Sequence, residues 1–354
     1  MDRVAALREL LTENKLDGVI VYSSENRRYL SGFTGSTGFV VIGKGNMDFV
    51  TDFRYKEQAG TQCKGYNVVI HNNNLMGKLV ESIKNSKIKR LGIEEDFMTV
   101  GFFEEIKKAL PGIEMLPARS IFAKLRIKKD ETEIENIRKA AAIADCGFKH
   151  LLSFIKLGMS EMEVASELEY YMKKKGASGL SFDTIAASRI RASLPHGIAS
   201  EKIIEKDEFL TLDFGCVYNG YCSDMTRTVF IGKATEKHRK IYEVVLKAQI
   251  EALKAIKPGV TGKYVDKVAR DIISNEGYGE YFGHGLGHGV GLAVHEDPRL
   301  SMLGENILEA GMIVTDEPGI YIPGFGGVRI EDLVLVTENG AESLSKSPKE
   351  LIEL

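Results

Sequence analysis

The sequence predicts an α/β protein of two domains, a small α/β domain followed by a larger domain that contains an internal repeat. Three observations lead to this prediction. The chain has 354 residues, which exceeds the usual size of a single hydrophobic core. Short apolar runs alternate with helical patterns over its first third. In the remainder, a helix pair followed by two acidic, strand-like segments occurs twice.

The first domain, residues 1–123, alternates strand and helix patterns. Its opening segment has the apolar spacing of an amphipathic helix and lacks the long apolar core of a signal peptide. Short apolar runs predict strands at 16–22, 38–43, 47–52 and 67–70. A helix is predicted between Thr99 and the stop signal Pro111-Gly112. The charged segment 123–133 lies between periodic regions, so we place the boundary there and predict domains 1–123 and 124–354.

The second domain begins with a long helix pattern, and a capping box made by Ser160 and Glu163 starts a second helix. The same pair of helices returns at about 235–277 when the numbering is shifted by 101 positions. The matched positions include Gly158 and Gly259, Ser160 and Thr261, and Gly176 and Gly277. The repeat predicts two halves related by an approximate twofold axis.

Each half continues with two strand-like segments that carry carboxylates. Asp213 in FLTLDFG and Glu317 in MIVTDEPG each stand two residues before a glycine, and Asp224 and Glu331 follow on the next segment. An acid among apolar neighbours is costly to bury unless it is paired or binds metal. The approximate twofold axis would bring the two carboxylate pairs face to face, where the repulsion between their charges favours bound cations. Carboxylates with one imidazole suit manganese, cobalt, iron or zinc, and two such ions activate water at neutral pH.

The stretch GHGLGHGVGLAVHE (283–296) supplies candidate imidazoles. Its glycines alternate with larger residues, so a strand would place His284 and His288 on one face and the glycines on the other. Glycine at such positions permits close approach of a backbone or a substrate. His295, and His196 in LPHG, are further candidates. One histidine alone would more often be a core residue, but three within this stretch favour a site.

Composition and motifs exclude several classes of function. Lys plus Arg (47) nearly balances Asp plus Glu (50), which gives no signal of nucleic-acid or membrane-surface binding. No apolar run is long enough for a membrane span. Cys216 and Cys222 flank the candidate site, and we predict that they are small apolar fillers rather than ligands or a disulfide. Without an export signal, a cytoplasmic protein is predicted.

Two local patterns are dismissed as coincidences. An HExxH zinc motif is absent, because His295-Glu296 is followed by Arg299 where the second histidine would stand. The segment GFVVIGKG (38–45) has the spacing of a phosphate-binding loop, but Gly45 replaces the required Ser or Thr.

Together these motifs resemble those of the Xaa-Pro peptidases, aminopeptidase P and prolidase, of the pita-bread metallopeptidase family. The likeness extends over essentially the whole chain. It is carried by FDTIAAS (182–188), LPHG (194–197), LDFGCVYNGYCSDMTRT (212–228), GHGLGHGVGLAVHE (283–296), EPGIY (317–321) and VRIED (328–332), and in the first domain by YLSGFTGSTG (29–38) and TDFRYKEQA (51–59). The resemblance implies a pita-bread catalytic domain behind an amino-terminal domain of the creatinase/prolidase type.

By position, the resemblance also implies a role for each site residue. Two divalent ions, with manganese the first choice and cobalt, zinc or iron as alternatives, would be bound by Asp213, Asp224, His288, Glu317 and Glu331. Asp224 and Glu331 would bridge the ions, and Glu317 would also be the general base. His284 would lie near the bridging solvent, and His196 and His295 would bind substrate and the developing oxyanion. Arg329 would pair with a carboxylate.

The activity that the resemblance favours is that of an Xaa-Pro aminopeptidase, because of the GFTGS and TD-x-RY elements, with Xaa-Pro dipeptidase (prolidase) as the alternative. A non-catalytic binding protein of this fold and a metal-free creatinase-like hydrolase are disfavoured by the intact ligand set. Peptides with proline in second position and a homodimer are implied. Two positions depart from the family pattern: Arg189 stands where glycine is usual, and Asp316 where an apolar residue is usual.

Overall fold

The computed structural model describes residues 2–354, which divide into two compact units, one ending at Arg126 and the other spanning Ile127–Leu354. The boundary predicted between residues 123 and 124 falls inside a helix, Arg119–Ile127. The division between the units lies inside the charged segment 123–133, which ends that helix and begins the next at Glu131. Asp130 caps the second helix through a capping box with Glu133, which explains the charges that the sequence pattern shows there.

The helices and strands are named here in chain order. The helices are α1 (Arg3–Glu13), α2 (Ser24–Ser31), α3 (Lys56–Gln62), α4 (Leu75–Asn85), α5 (Val100–Ala109), α6 (Arg119–Ile127), α7 (Glu131–Phe154), α8 (Glu161–Lys174), α9 (Glu236–Ala255) and α10 (Gly262–Asn275). The strands are β1 (Gly18–Val21), β2 (Phe39–Gly43), β3 (Met47–Thr51), β4 (Asn67–Ile70), β5 (Arg90–Ile93), β6 (Glu114–Pro117), β7 (Gly179–Leu180), β8 (Ile185–Ser188), β9 (Glu208–Phe214), β10 (Cys216–Tyr218), β11 (Tyr221–Cys222), β12 (Met225–Ile231), β13 (Gly287–Gly289), β14 (Glu296–Leu300), β15 (Ile313–Asp316), β16 (Gly319–Ile322), β17 (Gly326–Arg329), β18 (Asp332–Thr337) and β19 (Gly340–Ser343).

The first unit is built on one mixed six-stranded sheet with the order β4-β3-β2-β1-β5-β6. The predicted strands are present as β1 to β4, and the predicted helix is α5, capped by the side chain of Thr99. Leu79 and Ile83 of α4 and Ile106 of α5 pack into the core of this sheet. The phosphate-loop-like segment 38–45 is part of the hairpin between β2 and β3, so no helix N-terminus follows it.

The second unit contains the predicted repeat. The pair α7 and α8 packs on β8, β9 and β12, and the pair α9 and α10 packs on the sheet that holds β15 and β18, each around its own apolar core. The matched glycines have matching backbones: φ is 88° at Gly158 and 87° at Gly259. Ser160 and Thr261 are the side-chain N-caps of α8 and α10. Both helix pairs are therefore built by the same local rules.

The cysteines and helices bear on two further predictions. Cys63, Cys216 and Cys222 are buried, Cys146 is exposed and none of the four forms a disulfide, so Cys216 and Cys222 fill strand positions as predicted. Burial raises the pKa of the Cys216 thiol to about 12. Within residues 2–354, no helix has both the length and the apolar character needed to cross a membrane.

Gly215 lets the two acidic strands of the first half approach each other. It follows Asp213 and Phe214 at the end of β9, and an ideal Cβ built on it would lie 1.9 Å from the backbone oxygen of Ser223. Ser223 directly precedes Asp224, so this contact sets the spacing between the two carboxylates. Only glycine fits such a close passage of two backbones.

We predict that Gly215→Ala destabilises the protein by about 1–3 kcal/mol, because the added methyl group forces these backbones apart. The measurement is the urea midpoint and slope of unfolding. Gly179→Ala is the matched control, since Gly179 lies on neighbouring β7 and its Cβ would meet no atom within 4 Å. Equal midpoints for the two variants would contradict the argument.

Candidate metal centre

The four acidic side chains lie at strand ends in both halves of the second unit. Asp213 lies on β9 opposite Thr226, and Asp224 immediately precedes β12. Glu317 directly follows β15, and Glu331 lies between β17 and β18. The backbone N–H of Glu331 donates to the carbonyl oxygen of Thr226 at 3.1 Å. Main-chain bonding therefore joins the two halves at the point where the acids meet.

The structure brings the predicted ligand side chains together. Single ligand atoms of Asp224, His288 and Glu331 all lie within 4.8 Å of one another. His288 Nε2 is 3.6 Å from Asp224 Oδ2 and 3.4 Å from Glu317 Oε1. Asp213 is close enough for its charge to raise the pKa of Asp224, of Glu317 and of Glu331.

Burial and mutual repulsion dominate the electrostatics of this cluster. Desolvation, followed by the charges of neighbouring acids, raises the pKa of Asp224 and of Glu331 well above the usual range. Desolvation also raises the pKa of Glu317 to about 8, against the opposing charge of Arg329. Burial lowers the pKa of His288 to about 4, which keeps its imidazole neutral at pH 7. A neutral imidazole is the form that binds metal.

The chemistry of these donors fits divalent cations. Oδ1 of Asp213 is buried and has no hydrogen-bond donor among residues 2–354, which is costly for a carboxylate unless a cation takes that place. The surrounding groups are carboxylate oxygens and one imidazole, a donor set suited to ions such as manganese, cobalt, iron or zinc. A positive charge here would remove the repulsion that raises the carboxyl pKa values.

Hydrogen bonds from the protein fix one oxygen of three of the acids. Arg329 Nη2 donates to Asp213 Oδ2 at 2.6 Å, which is the carboxylate pairing predicted for Arg329. The hydroxyl of Thr226 donates to Glu331 Oε2 at 2.6 Å, and that of Thr315 donates to Glu317 Oε1 at 3.0 Å. Such outer partners orient the groups that bind a metal.

The histidine stretch differs from its predicted form. Only His288 lies on a strand, β13, whereas His284 precedes that strand, so period-two alternation does not place the two on one face. The glycines do permit close approach, because a Cβ on Gly287 would lie 2.1 Å from the oxygen of Thr315. The β13 ladder also shifts register after His288, which ends the alternation early.

The remaining predicted histidines surround the acids at different depths. His284 Nε2 lies 2.8 Å from the Tyr321 hydroxyl, and the ring of His295 lies 4.2 Å from that of His288. Burial lowers the pKa of His284 to about 4, and the charge of nearby His196 contributes to that lowering. His196 and His295 are both solvent-exposed.

Sequence reasoning missed several side chains that complete the centre. The Tyr321 hydroxyl accepts a hydrogen bond from Arg329 Nη1 at 2.7 Å and so links His284 to the arginine that holds Asp213. Burial raises the pKa of Tyr321 to about 12, which keeps it a neutral hydroxyl. Thr226 was missed as well, although it stands opposite Asp213. Strand alternation in EPGIY could have indicated Tyr321.

The two departures from the family pattern have different environments. Asp316 is fully buried, and Gln249 Nε2 donates to its Oδ2 at 3.2 Å. Burial raises the pKa of Asp316 well above the usual range. Arg189 is exposed, pairs with Glu205 at 2.6 Å, and has a φ of 54°, a left-handed backbone that glycine adopts without strain.

Comparison with known proteins places this geometry in a family. The sequence profile of metallopeptidase family M24 matches residues 135–338, which include all of the acids and histidines described above. The chain belongs to metallopeptidase family M24. The profile of the creatinase/prolidase N-terminal domain matches residues 3–128. The predicted pita-bread fold and metal-dependent peptidase class are thereby confirmed.

Relatives of this M24 member align along nearly its whole length. It is 42% identical to an Xaa-Pro dipeptidase of Pyrococcus horikoshii over 99% of both chains. Among solved structures, an Xaa-Pro dipeptidase from Bacillus anthracis is 48% identical with a TM-score of 0.97, covering 100% of this chain and 99% of that one. An X-Pro aminopeptidase from Thermotoga maritima is 37% identical with a TM-score of 0.91, covering 98% and 99%.

We predict that a divalent ion such as Mn²⁺ raises the thermal midpoint of the metal-free protein by roughly 5–10 °C at a hundredfold excess over its Kd, because it neutralises the buried acids. Differential scanning calorimetry with and without ion measures this shift. Asp224→Asn should lose most of the shift, whereas the exposed control Glu201→Gln should keep it. An equal shift in both variants would place the stabilising ion elsewhere.

Proposed function

We propose that this M24 peptidase is an Xaa-Pro dipeptidase, which hydrolyses the bond between the two residues of an Xaa-Pro dipeptide. The sequence favoured the aminopeptidase and held the dipeptidase as the alternative. The alternative is preferred, because two relatives with the name Xaa-Pro dipeptidase match this chain along its length at 42% and 48% identity, above the 37% of the aminopeptidase structure.

Each side chain of the centre has a role in this proposed reaction. Asp213, Asp224, His288, Glu317 and Glu331 would hold two divalent ions, manganese being the first choice. When bound, the ions would supply Lewis acidity and lower the pKa of water. Glu317 would take a proton from the attacking water, and His196 and His295 would donate hydrogen bonds to the substrate and the oxyanion. His284, held by Tyr321, would face the same space.

The products follow from this assignment. A hydroxyl group adds to the carbonyl carbon of the first residue, and the bond to the proline nitrogen breaks. That nitrogen must gain a proton as it leaves, and Glu317, which has just accepted one, is placed to return it. Free amino acid and free proline result.

One observation beyond the family match favours a dipeptide. Arg299 stands directly opposite His288 in the β13–β14 ladder, so both side chains project from one face of the sheet. Burial lowers the pKa of His295 against the opposing charge of Asp213, and the charges of His196 and Arg299 lower it further. A guanidinium this close to the centre suits the free carboxylate of a dipeptide.

Release of free amino acid by manganese-loaded protein tests the proposal, with Gly-Pro and Arg-Pro-Pro as substrates and with chelator as control. We expect chelator-sensitive cleavage of Gly-Pro and at least tenfold lower kcat/KM for Arg-Pro-Pro. Asp213→Asn, His288→Ala and Glu317→Gln should remain folded and lose hydrolysis, Glu317→Gln by about 10²–10⁴-fold as a lost general base. Preferred cleavage of the tripeptide would restore the aminopeptidase assignment, and cleavage of neither would refute proline specificity.

A second prediction concerns the carboxylate contact alone. Arg299→Ala should raise KM for Gly-Pro roughly 10- to 100-fold, since a hydrogen bond to a charged group contributes about 1.5–3 kcal/mol. Gly-Pro amide, which lacks the carboxylate charge, should show almost no change, and Arg299→Lys should recover part of the loss. Steady-state kinetics on both substrates measure this, and equal losses on the acid and the amide would remove Arg299 from substrate recognition.

A further inference from the structure

The segment that carries His196 is a loop with an exposed tip between two fixed ends. It leaves β8 at Ser188 and reaches Ser200, with His196 near its tip. His196 itself is exposed, as are the flanking Leu194 at 51% and Ile198 at 52%. Packing of its own side chains therefore does little to hold this tip, and its position depends on contacts made elsewhere along the loop.

A buried carboxylate holds both ends of the loop. Glu161, the first residue of α8, is 0% exposed. Its Oε1 accepts from the backbone N–H of Ser188 at 2.7 Å and from the Ser188 hydroxyl at 2.9 Å. Its Oε2 accepts from the N–H of Ser200 at 3.2 Å and the Ser200 hydroxyl at 2.7 Å. One side chain thus joins the start of the loop to its end.

The same carboxylate reaches toward the tip through an arginine. Arg191 Nε donates to Glu161 Oε2 at 2.9 Å, while Arg191 Nη2 donates to the carbonyl oxygen of Ile198 at 2.5 Å. Arg191 and Ile198 lie on either side of His196 in the sequence, so this pair of bonds spans the loop across its tip. Charge-assisted hydrogen bonds of this kind are both short and directional.

The loop also contains backbone strain that needs such support. Arg189 lies between the two anchored residues Ser188 and Arg191 and has a φ of 54°. A non-glycine residue in this left-handed region persists when its surroundings over-determine it. On its other side the loop packs on β17, where a Cβ at Gly327 would lie 2.2 Å from the oxygen of Ala192.

The second half of the repeat holds its own histidine segment in the same way. Asp266 of α10 is 1% exposed, and its Oδ1 accepts from the N–H of Leu286 at 3.0 Å. Arg270 pairs with Asp266 at 2.8 Å and donates to the carbonyl oxygens of Phe282 at 2.9 Å and His284 at 2.7 Å. In each half, a buried acid on the second helix and an arginine thus fix the segment that carries a histidine.

We propose that Glu161 is a positioning residue for the reaction, which acts by fixing the loop that presents His196 to the substrate. The proposal rests on the substrate-binding role proposed for His196. Glu161 touches neither the acids of the centre nor any group that reacts, so its effect on catalysis must pass through the loop. A displacement of about 1 Å in a substrate-binding group can lower a rate 10²-fold.

The test is a double-mutant cycle in the manganese-loaded protein, combining Glu161→Gln with His196→Ala. With Gly-Pro as substrate, Glu161→Gln should lower kcat/KM by roughly 10- to 100-fold on its own. In the His196→Ala background the same change should cost less than about twofold, because the residue that it positions is already absent. Glu163→Gln is the matched control: it lies on the same helix, weakens the capping box at Ser160 and should be additive with His196→Ala.

A second measurement does not require any substrate. Hydrogen exchange of the amides in 189–200 should become at least tenfold faster in Glu161→Gln and should not change in Glu163→Gln. Arg191→Met removes the bonds that Arg191 donates to Glu161 and to the carbonyl oxygen of Ile198. Its effect on kcat/KM should also be lost in the His196→Ala background. It replaces Glu161→Gln in the test if that variant does not fold.

The outcomes separate this proposal from the proposed function. If wild-type protein does not cleave Gly-Pro, the dipeptidase assignment fails, and the exchange rates still decide whether Glu161 anchors the loop. Unchanged exchange in 189–200, or an equal factor for Glu161→Gln with and without His196, would overturn the proposal.

Discussion

The centre of this protein is governed by the cost of placing several carboxylates in one buried space. Asp224 and Glu331 are at most 5% exposed, and desolvation and mutual repulsion raise the pKa of each well above its usual range. Without compensation, such a cluster would destabilise the folded state. Divalent cations supply the missing charge, so the architecture that brings the acids together and the metal dependence of the family have one physical cause.

The pseudo-twofold repeat brings these carboxylates together, because each half contributes two of them. Several hydrogen bonds cross between the halves at the site. Among them, Arg329 of the second half donates to Asp213 of the first, and Thr226 of the first donates to Glu331 of the second. Each half thus orients a carboxylate of the other.

Much of this arrangement was predictable from the sequence because local signals and charge placement agree. Helix caps and glycines set the repeat, and an acid within an apolar strand is unusual enough to mark a site. Longer-range features were not predictable. The units divide at Arg126–Ile127, inside the charged segment and three residues beyond the predicted boundary at 123, and His284 was wrongly placed on a strand because β13 is short. Glu161 accepts hydrogen bonds from Ser188 and Ser200, which lie far from it in the sequence, and no local pattern reveals these contacts. The homodimer and the cytoplasmic location stay predictions.

The number of metal ions bound per chain decides whether these carboxylates form a two-metal site. Metal-free protein is titrated with Mn²⁺, and bound ion is counted by equilibrium dialysis with elemental analysis while hydrolysis is followed in the same samples. We expect two ions per chain, with the rate of hydrolysis reaching its maximum as the second ion binds. Asp213→Asn should retain no more than one tightly bound ion. Full activity without bound ion, or two ions retained at unchanged affinity in Asp213→Asn, would contradict a centre built by these carboxylates.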